Sequence, residues 1–306
     1  MEPEKRIENV AIDEFAEKLK LEVLCRGKGD PIEIATFNIN RPGVLLSGYY
    51  DNFPAERIQI IGEWETHYLG QVSAKKRADA LNELFRREIP CLIISSGINP
   101  PAELLKSAKK YSRAVFRSGK RSSLIINDLV LYLNDLLAPT ESRHGVLVDI
   151  YGVGVMLTGN SGVGKSETAL ELIQRGHRLV ADDAVIIKMV NDRLIGASPP
   201  IIRYFMEVRG IGIVDVQRMY GVGAIKLTKV IDLVVELEIW DEHKSYDRLG
   251  LTAETEKILG INIPKITIPV KPGRNLAALL EVAARNHRLK SLGYNSAEEL
   301  DKRINF

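Results

Sequence analysis

The segment that most constrains this chain is glycine-rich and fits the phosphate-binding pattern G-x-x-x-x-G-K-[ST]: Gly159-Asn160-Ser161-Gly162-Val163-Gly164-Lys165-Ser166. Its glycines allow the backbone to turn tightly and to bring N–H groups close to a polyphosphate. Lys165 supplies a cation for the β- and γ-phosphates, and Ser166 supplies a hydroxyl ligand for Mg²⁺. We therefore predict that residues 159–166 bind a nucleotide.

The segments on either side of this loop match the elements that the pattern requires. Residues 153–157 are apolar and predict a strand, whereas residues 166–175 predict a helix that turns Leu170, Leu172 and Ile173 inward and ends at Gly176. This order directs a helix N-terminus, with its partial positive charge, at the phosphates. The alternative is a glycine-rich turn that binds nothing, and the flanking elements argue against it.

Composition limits the class of protein. A length of 306 residues favours two domains, and a net charge of +2 is too balanced to indicate nucleic acid as the main partner. We expect no signal peptide and no membrane-spanning segment. The two cysteines, Cys25 and Cys91, lack metal-ligand spacing and resemble buried thiols in a reducing compartment, so we expect a cytoplasmic protein.

The first part of the chain alternates predicted helices and strands. Helical periodicity covers residues 12–24, 74–87 and 123–137. Residues 58–62 predict a short strand, and the continuous apolar run at residues 91–95 predicts a buried strand. This alternation predicts a small α/β domain over residues 1–138, whose function the residues leave open. The polar segment 138–143 contains a proline and is the predicted linker, so the second domain spans residues 139–306.

The second part of the chain predicts antiparallel hairpins around the phosphate loop. Turns at Tyr151-Gly152 and at Asn191-Asp192 separate alternating or apolar runs, and strands are also predicted at residues 233–240 and 265–268. Residues 275–292 predict a long helix, and Ser296 has capping-box spacing for a last one. Hairpins combined with a strand-loop-helix unit are atypical of a phosphate-loop protein.

A phosphate loop predicts nucleotide binding but no reaction, because transfer to a hydroxyl also needs an acidic group on the metal and a base. Asp182 and Asp183 follow the strand predicted at residues 178–181, and neighbouring side chains of a strand point to opposite faces, so we expect different roles. Adjacent carboxylates tend to raise one pKa, which suits a base. The alternative is a pair of turn aspartates.

Two further segments and the histidines leave alternatives open. Glu207 and Arg209 would project the same way in an extended segment, to bind a metal and a phosphate or only to pair with each other. Residues 269–275 form either a second anion site or a surface turn. His177 is interpreted as a helix cap, His67 as a surface or half-buried residue, and His243 and His287 as surface residues. Only its position distinguishes His144.

Together these segments resemble the HPr kinase/phosphorylase family over nearly the whole chain, including the turn at residues 41–43. The resemblance is most specific at residues 144–149, 159–167, 181–183, 207–213, 246–248 and 269–275. It implies a bifunctional regulator of carbon catabolite repression that uses ATP and Mg²⁺ to phosphorylate a serine of the carrier protein HPr. It also implies removal of that phosphate from phosphoseryl-HPr by inorganic phosphate, which yields pyrophosphate.

The resemblance assigns roles to individual residues. It implies that Asp183 is the base of phosphorylation and the acid of dephosphorylation, that Ser166 and Glu207 contact the metal, and that the other active-site residues are His144, Lys165 and Arg248. Both reactions would use Met206, Glu207, Val208, Arg209, Gly210, Ile211, Gly212, Ile213, Val214 and Asp215. Dephosphorylation would mainly use Pro269, Val270, Lys271, Pro272, Gly273 and Arg274.

One residue departs from the family pattern. Lys271 stands where the pattern has arginine, and lysine keeps the charge but loses the bidentate fork. If this position clamps phosphate or HPr, the departure places the phosphorylase activity in doubt.

The resemblance also implies a fold and an assembly. We expect an α/β protein with a small N-terminal α/β domain and a C-terminal phosphate-loop domain similar to phosphoenolpyruvate carboxykinase. We expect a homohexamer in which the C-terminal helix helps to engage HPr. Two other functions stay open at this point, a phosphate-loop kinase of a small metabolite and a nucleotide sensor without chemistry; the presence of Asp183 and Glu207 argues against the sensor.

Overall fold

The computed structural model describes residues 7–27, 31–244 and 254–304. The chain divides into two compact units, Met1–Ala138 and Pro139–Phe306. In the described part of the chain, every helix is either too short or too polar to cross a membrane.

The first unit alternates short strands with helices. Its strands are β1 (Glu8–Val10), β2 (Glu22–Cys25), β3 (Ile32–Ile34), β4 (Ile39–Asn40), β5 (Ile58–Ile61), β6 (Cys91–Ile94) and β7 (Ala114–Arg117). Its helices are α1 (Ile12–Leu19), α2 (Gly43–Ser47), α3 (Glu63–Gln71), α4 (Ala74–Arg86), α5 (Ala102–Lys110) and α6 (Ser122–Leu136).

Within the described residues of this unit, the main sheet has the order β2-β7-β6-β5-β4. Strands β4 to β7 run parallel, and β2 is antiparallel to β7. Helices α1 and α6 pack on one face of the sheet, and α4 and α5 on the other. β5 and β6 are buried along their whole length, which explains the continuous apolar run of β6, whereas β5 includes one buried polar residue, Gln59. The predicted α/β class is confirmed.

The helix predicted at residues 12–24 is shorter than expected. It ends at Leu19 because Lys20 adopts a left-handed conformation with φ +54°, and residues 22–25 form β2 instead. The prediction extended the helix to residue 24 because apolar residues continue beyond Lys20, and periodicity does not record the change of backbone conformation there.

The second unit carries most of the strands. They are β8 (Thr140–His144), β9 (Val146–Ile150), β10 (Val153–Thr158), β11 (Arg178–Ala181), β12 (Ala184–Val190), β13 (Arg193–Ala197), β14 (Phe205–Val208), β15 (Gly212–Asp215), β16 (Thr228–Val230), β17 (Leu233–Ile239), β18 (Glu254–Ile258) and β19 (Ile261–Val270). The α-helices are α7 (Lys165–Gln174), α8 (Val216–Tyr220), α9 (Leu276–Ser291) and α10 (Ser296–Ile304).

The larger sheet of this unit, in the residues described, has the order β11-β9-β10-β17-β19-β18. The predicted hairpin of β9 and β10 is confirmed, and β10 is parallel to β17 on its other side. Helices α7 and α9 pack against this sheet through Leu172, Leu280 and Ala284, which join a core with Val155 and Val235. The loop between β10 and α7 therefore follows the end of an interior strand of a mixed sheet.

The predicted linker is wrong over most of its length. Residues 140–144 form β8, the edge strand of a second sheet with the order β16-β13-β12-β8 across the described residues. An edge strand with both faces partly exposed needs no apolar alternation, and this explains why its polar sequence resembled a linker. The strand predicted at residues 265–268 is also longer, because β19 covers Ile261–Val270.

Candidate active site

The glycine-rich loop connects β10 to α7 and approaches other backbone closely. Gly159 has φ +126°, and a Cβ atom there would lie 2.2 Å from the carbonyl oxygen of Leu237 in β17. Gly162 has φ +82°, and a Cβ atom there would lie 2.6 Å from Nη1 of Arg209. A side chain at Gly159 would clash with the backbone of β17, so this glycine of the pattern meets a steric requirement. A side chain at Gly162 would have to displace the flexible end of Arg209.

Lys165 is buried at the start of α7. Its Nζ atom donates hydrogen bonds to the carbonyl oxygens of Gly159, at 2.8 Å, and Asn160, at 3.1 Å. Burial lowers the pKa of Lys165, and the carboxylates of Asp182 and Asp183 oppose that shift. The ammonium group is thus held under the loop, next to the α7 N-terminus.

Asp182 joins three segments of the unit. The side chain is 4% exposed; Oδ1 accepts a hydrogen bond from Oγ of Ser166 at 2.9 Å, and Oδ2 accepts one from the backbone N–H of Glu207 at 3.1 Å. Burial raises the pKa of Asp182 despite these hydrogen bonds, and the charge of Asp183 adds to the rise. The sequence predicted that the charge of the adjacent carboxylate would raise the pKa of one aspartate. In the structure, burial contributes more than this charge to the raised pKa of Asp182.

Asp183, unlike Asp182, has a side chain that is exposed to solvent. Its backbone has φ +65°, its side chain is 68% exposed, and Oδ1 lies 3.0 Å from Nδ1 of His144. The register of the second sheet creates this pair, because His144 of β8 lies opposite Ala184 of β12. The two aspartates therefore occupy different environments, but strand alternation is not the cause, because β11 ends at Ala181 and Asp183 has a left-handed backbone.

Strands β14 and β15 form a hairpin that supplies the opposite wall of the site. Glu207 lies in β14, and Arg209 follows that strand and donates from Nη2 to Oγ of Ser161 at 3.0 Å. Both residues line the same cavity, although Arg209 lies in the turn after β14 rather than in the extended segment that the prediction assumed.

The residues described above line one cavity of about 180 Å³. Its lining consists of His144, Val146, Ser161, Gly162, Lys165, Ser166, Glu167, Asp182, Asp183, Glu207 and Arg209. These lining residues include two cations, Lys165 and Arg209, and four carboxylates. The excess of negative charge disfavours a bare polyphosphate and favours a polyphosphate that brings a divalent cation.

The oxygen donors of the cavity fit Mg²⁺. Ser166 and Asp182 are hydrogen-bonded to each other, and Glu207 lines the same space. In the described part of the chain, no three His, Cys, Asp or Glu side chains form a metal site by themselves. Mg²⁺ usually takes one or two carboxylates and completes its coordination with water and phosphate oxygens, so this donor set is sufficient.

Several predicted site residues lie away from the cavity. Val163, Met206 and Val208 are buried in the core. The residues Asn160, Gly164, Gly210, Ile211, Gly212, Ile213, Val214 and Asp215 belong to the loop or the hairpin without lining the cavity. Arg248 lies outside the described residues.

Residues 269–274 also do not line the cavity. Nζ of Lys271 lies 3.5 Å from the centre of the Trp240 ring, and Nη1 of Arg274 donates to the carbonyl oxygen of Pro269 at 3.0 Å. Lys271 therefore interacts with an aromatic ring, and Arg274 with a backbone carbonyl of the same turn.

The interpretation of His177 as a helix cap is wrong. The ring is buried, its Nε2 lies 2.9 Å from Oε1 of Glu281 in α9, and it packs edge-on against the ring of Tyr151 with centroids 4.6 Å apart. The C-terminus of α7 is closed by backbone hydrogen bonds instead. His287, expected on the surface, is half-buried, and burial lowers its pKa.

Sequence comparisons find relatives over almost the whole chain. The model of the HPr serine kinase N terminus matches residues 10–133, and that of the HPr serine kinase C-terminal domain matches residues 135–304. The HPr kinase/phosphorylase of Caldanaerobacter subterraneus is 49% identical over 299 residues, which cover 97% of this chain and 98% of that protein. The HPr kinase/phosphorylase of Alkaliphilus metalliredigens is 50% identical over 299 residues, 97% of each chain.

A structural comparison finds the Hpr(Ser) kinase/phosphatase from Coxiella burnetii, 40% identical, with a TM-score of 0.48. The match covers 52% of this chain and 98% of the other.

Proposed function

Since the chain belongs to the HPr serine kinase family, we propose that it uses ATP to phosphorylate a serine of HPr. In the other direction it removes that phosphate with inorganic phosphate, which yields pyrophosphate. The relatives that match 97% of the chain are named for both activities.

One observation supports this function above the others: the exposed carboxylate of Asp183 lines the same cavity as the glycine-rich loop. A nucleotide sensor has no use for a solvent-facing base at this position. A hydroxyl group that enters from solvent can reach Asp183 and the end of a polyphosphate at the same time.

The loop and its neighbours bind the nucleotide in this proposal. Backbone N–H groups at the α7 N-terminus and the ammonium of Lys165 hold the phosphates. Arg209, fixed to Ser161 in the loop, adds a second cation on the opposite wall. These groups also stabilise the charge that spreads over the transferred phosphoryl group.

Ser166, Asp182 and Glu207 would hold Mg²⁺. When bound, the metal ion neutralises phosphate charge in a cavity whose carboxylates outnumber its cations. Asp182 also accepts hydrogen bonds from the Ser166 hydroxyl and from the backbone N–H of Glu207, so it positions the other two ligands relative to each other.

Asp183 exchanges the proton. In the forward reaction its carboxylate takes the proton of the seryl hydroxyl as the serine oxygen bonds to the γ-phosphorus and the bond to ADP breaks. In the reverse reaction an oxygen of inorganic phosphate bonds to the phosphorus of phosphoserine, and Asp183 returns the proton to the departing serine oxygen. His144, 3.0 Å away, holds the carboxylate in place.

Other features implied by the family resemblance stay proposals. We propose that the second unit is related to phosphoenolpyruvate carboxykinase, which agrees with the hairpin of β9 and β10 beside the loop strand. On the same ground we propose Arg248 as an active-site residue, a role of residues 269–274 in dephosphorylation, and assembly as a homohexamer. A cytoplasmic location is proposed from the two cysteines, which lack metal-ligand spacing.

The test is to incubate the purified protein with ATP, Mg²⁺ and HPr and to measure phosphoserine on HPr by mass spectrometry. We expect phosphorylation of HPr and none of a panel of small metabolites. Unmodified HPr, or an equally good metabolite acceptor, would overturn the proposal.

A further inference from the structure

The hairpin of β14 and β15 carries an exposed apolar surface next to the cavity. We call the side chains of Phe205, Ile211 and Ile213 the outward face of the hairpin. Ile211 is 73% exposed and Ile213 is 76% exposed. A hairpin with one face on the core is ordinarily polar on the other, so two exposed isoleucines here are unusual.

The strand register fixes the direction of this face. Met206 and Val208 point into the core, so Phe205 and Glu207 point outward by alternation. Glu207 lies directly opposite Ile213 in the antiparallel pair. The carboxylate that lines the cavity and the exposed isoleucine are therefore neighbours on one surface.

A protein acceptor must cover this surface, whereas a small acceptor need not. The acceptor serine has to come within hydrogen-bond reach of Asp183. When a folded protein inserts one side chain into the cavity, the surface around that side chain contacts the residues at the rim of the cavity. Glu207 and Arg209 belong to that rim, and the isoleucines extend it outward.

We propose that the outward face of the hairpin docks HPr through an apolar surface that HPr presents beside its serine. This inference rests on the proposed function and assigns to Ile211 and Ile213 the recognition of the acceptor protein. A second copy of this chain is the competing occupant, and the test separates the two.

The experiment uses the full-length protein with Ile213→Ser or Ile211→Ser. Loss of a buried isoleucine side chain from an interface predicts that kcat/KM for HPr falls about tenfold in each variant. ATP affinity, measured without HPr, should stay within about twofold, because neither side chain lines the cavity. Leu131→Ser, which removes a 63% exposed apolar residue from α6 of the first unit, is the matched control and should change neither value.

Three results would overturn the inference. If the wild-type protein phosphorylates HPr and the isoleucine variants do so with unchanged kcat/KM, the docking surface is wrong while the proposed function stands. If the variants sediment as smaller assemblies than the wild-type protein, the face joins copies of the chain. If the wild-type protein leaves HPr unmodified, the proposed function fails first, and this inference fails with it.

Discussion

Replacement of Asp183 by asparagine should remove the proton acceptor and leave the rest of the site in place. Asparagine is among the few residues that tolerate the left-handed backbone of position 183, where φ is +65°. The side chain is exposed and pairs with His144 at the surface, so the loss of stability should be at most about 1 kcal/mol. A general base contributes about 10²- to 10⁴-fold, or roughly 3 to 5.5 kcal/mol of barrier.

We therefore expect Asp183→Asn to lower kcat for HPr phosphorylation by about 10²- to 10⁴-fold. Nucleotide affinity should be unchanged or slightly higher, because one negative charge leaves a cavity that binds polyphosphate. The measurements are initial rates of phosphoserine formation at saturating HPr and isothermal titration with an ATP analogue that cannot be hydrolysed.

The chain offers a matched control for this substitution. Asp192 lies in the turn between β12 and β13 and also has a left-handed backbone, with φ +57°. Asp192→Asn should leave both the rate and the nucleotide affinity unchanged. A rate for Asp183→Asn within tenfold of the wild-type rate would remove Asp183 from the mechanism. Joint loss of turnover and nucleotide binding would show that the substitution damages the site rather than the proton transfer.

Three further predictions concern the metal, the loop and a buried pair. Chelation of divalent cations by EDTA should weaken ATP binding at least tenfold in a filter-binding assay, because carboxylates outnumber cations in the cavity; equal affinity would refute the metal requirement. Gly159→Ala should abolish ATP binding and lower the melting temperature, since its Cβ would lie 2.2 Å from a carbonyl oxygen; unchanged binding would contradict the steric argument. The hydrogen bond from His177 lowers the pKa of Glu281. The stabilisation of the folded state by this pair is therefore complete above pH 4.5, the ordinary pKa of glutamate, and is lost as the pH falls through the lowered pKa of Glu281. In urea unfolding, Glu281→Gln should cost about 1 to 3 kcal/mol at pH 7 and progressively less below pH 4.5, whereas a cost that is independent of pH would be inconsistent with this pair.

The elements that depend on local pattern were predictable from the sequence. The loop between β10 and α7 follows a pattern of residues whose reasons are steric and electrostatic, and its flanking strand and helix have clear hydrophobic periodicity. The hairpin of β9 and β10 was likewise visible as two apolar runs around Tyr151-Gly152. In both cases neighbouring residues contain the information.

The elements that depend on distant contacts were not predictable in this way. β8 is polar because it is an edge strand, and only its pairing with β12 distinguishes it from a linker. His177 appeared to be a helix cap because its partner, Glu281, is more than a hundred residues away. Lys20 ends α1 by a change of backbone conformation that no hydrophobic pattern records.

The same distinction applies within the candidate site. The adjacency of Asp182 and Asp183 predicted different roles, but the burial of Asp182 arises from packing by α7 and β14. Its part in holding Ser166 and Glu207 became visible only when these three segments were seen together. Without the structure, the one signal for Asp182 was its position beside Asp183.

The central claim is that one cavity beside Asp183 serves both directions of phosphoryl transfer. The most direct test measures pyrophosphate release from phosphoseryl-HPr as inorganic phosphate is varied, at several fixed concentrations of a non-hydrolysable ATP analogue. We predict competition: the KM for phosphate rises in proportion to the analogue while kcat stays constant, because both ligands occupy the loop. A fall in kcat at constant KM would mean that phosphate and nucleotide bind together at separate places, and would contradict the account.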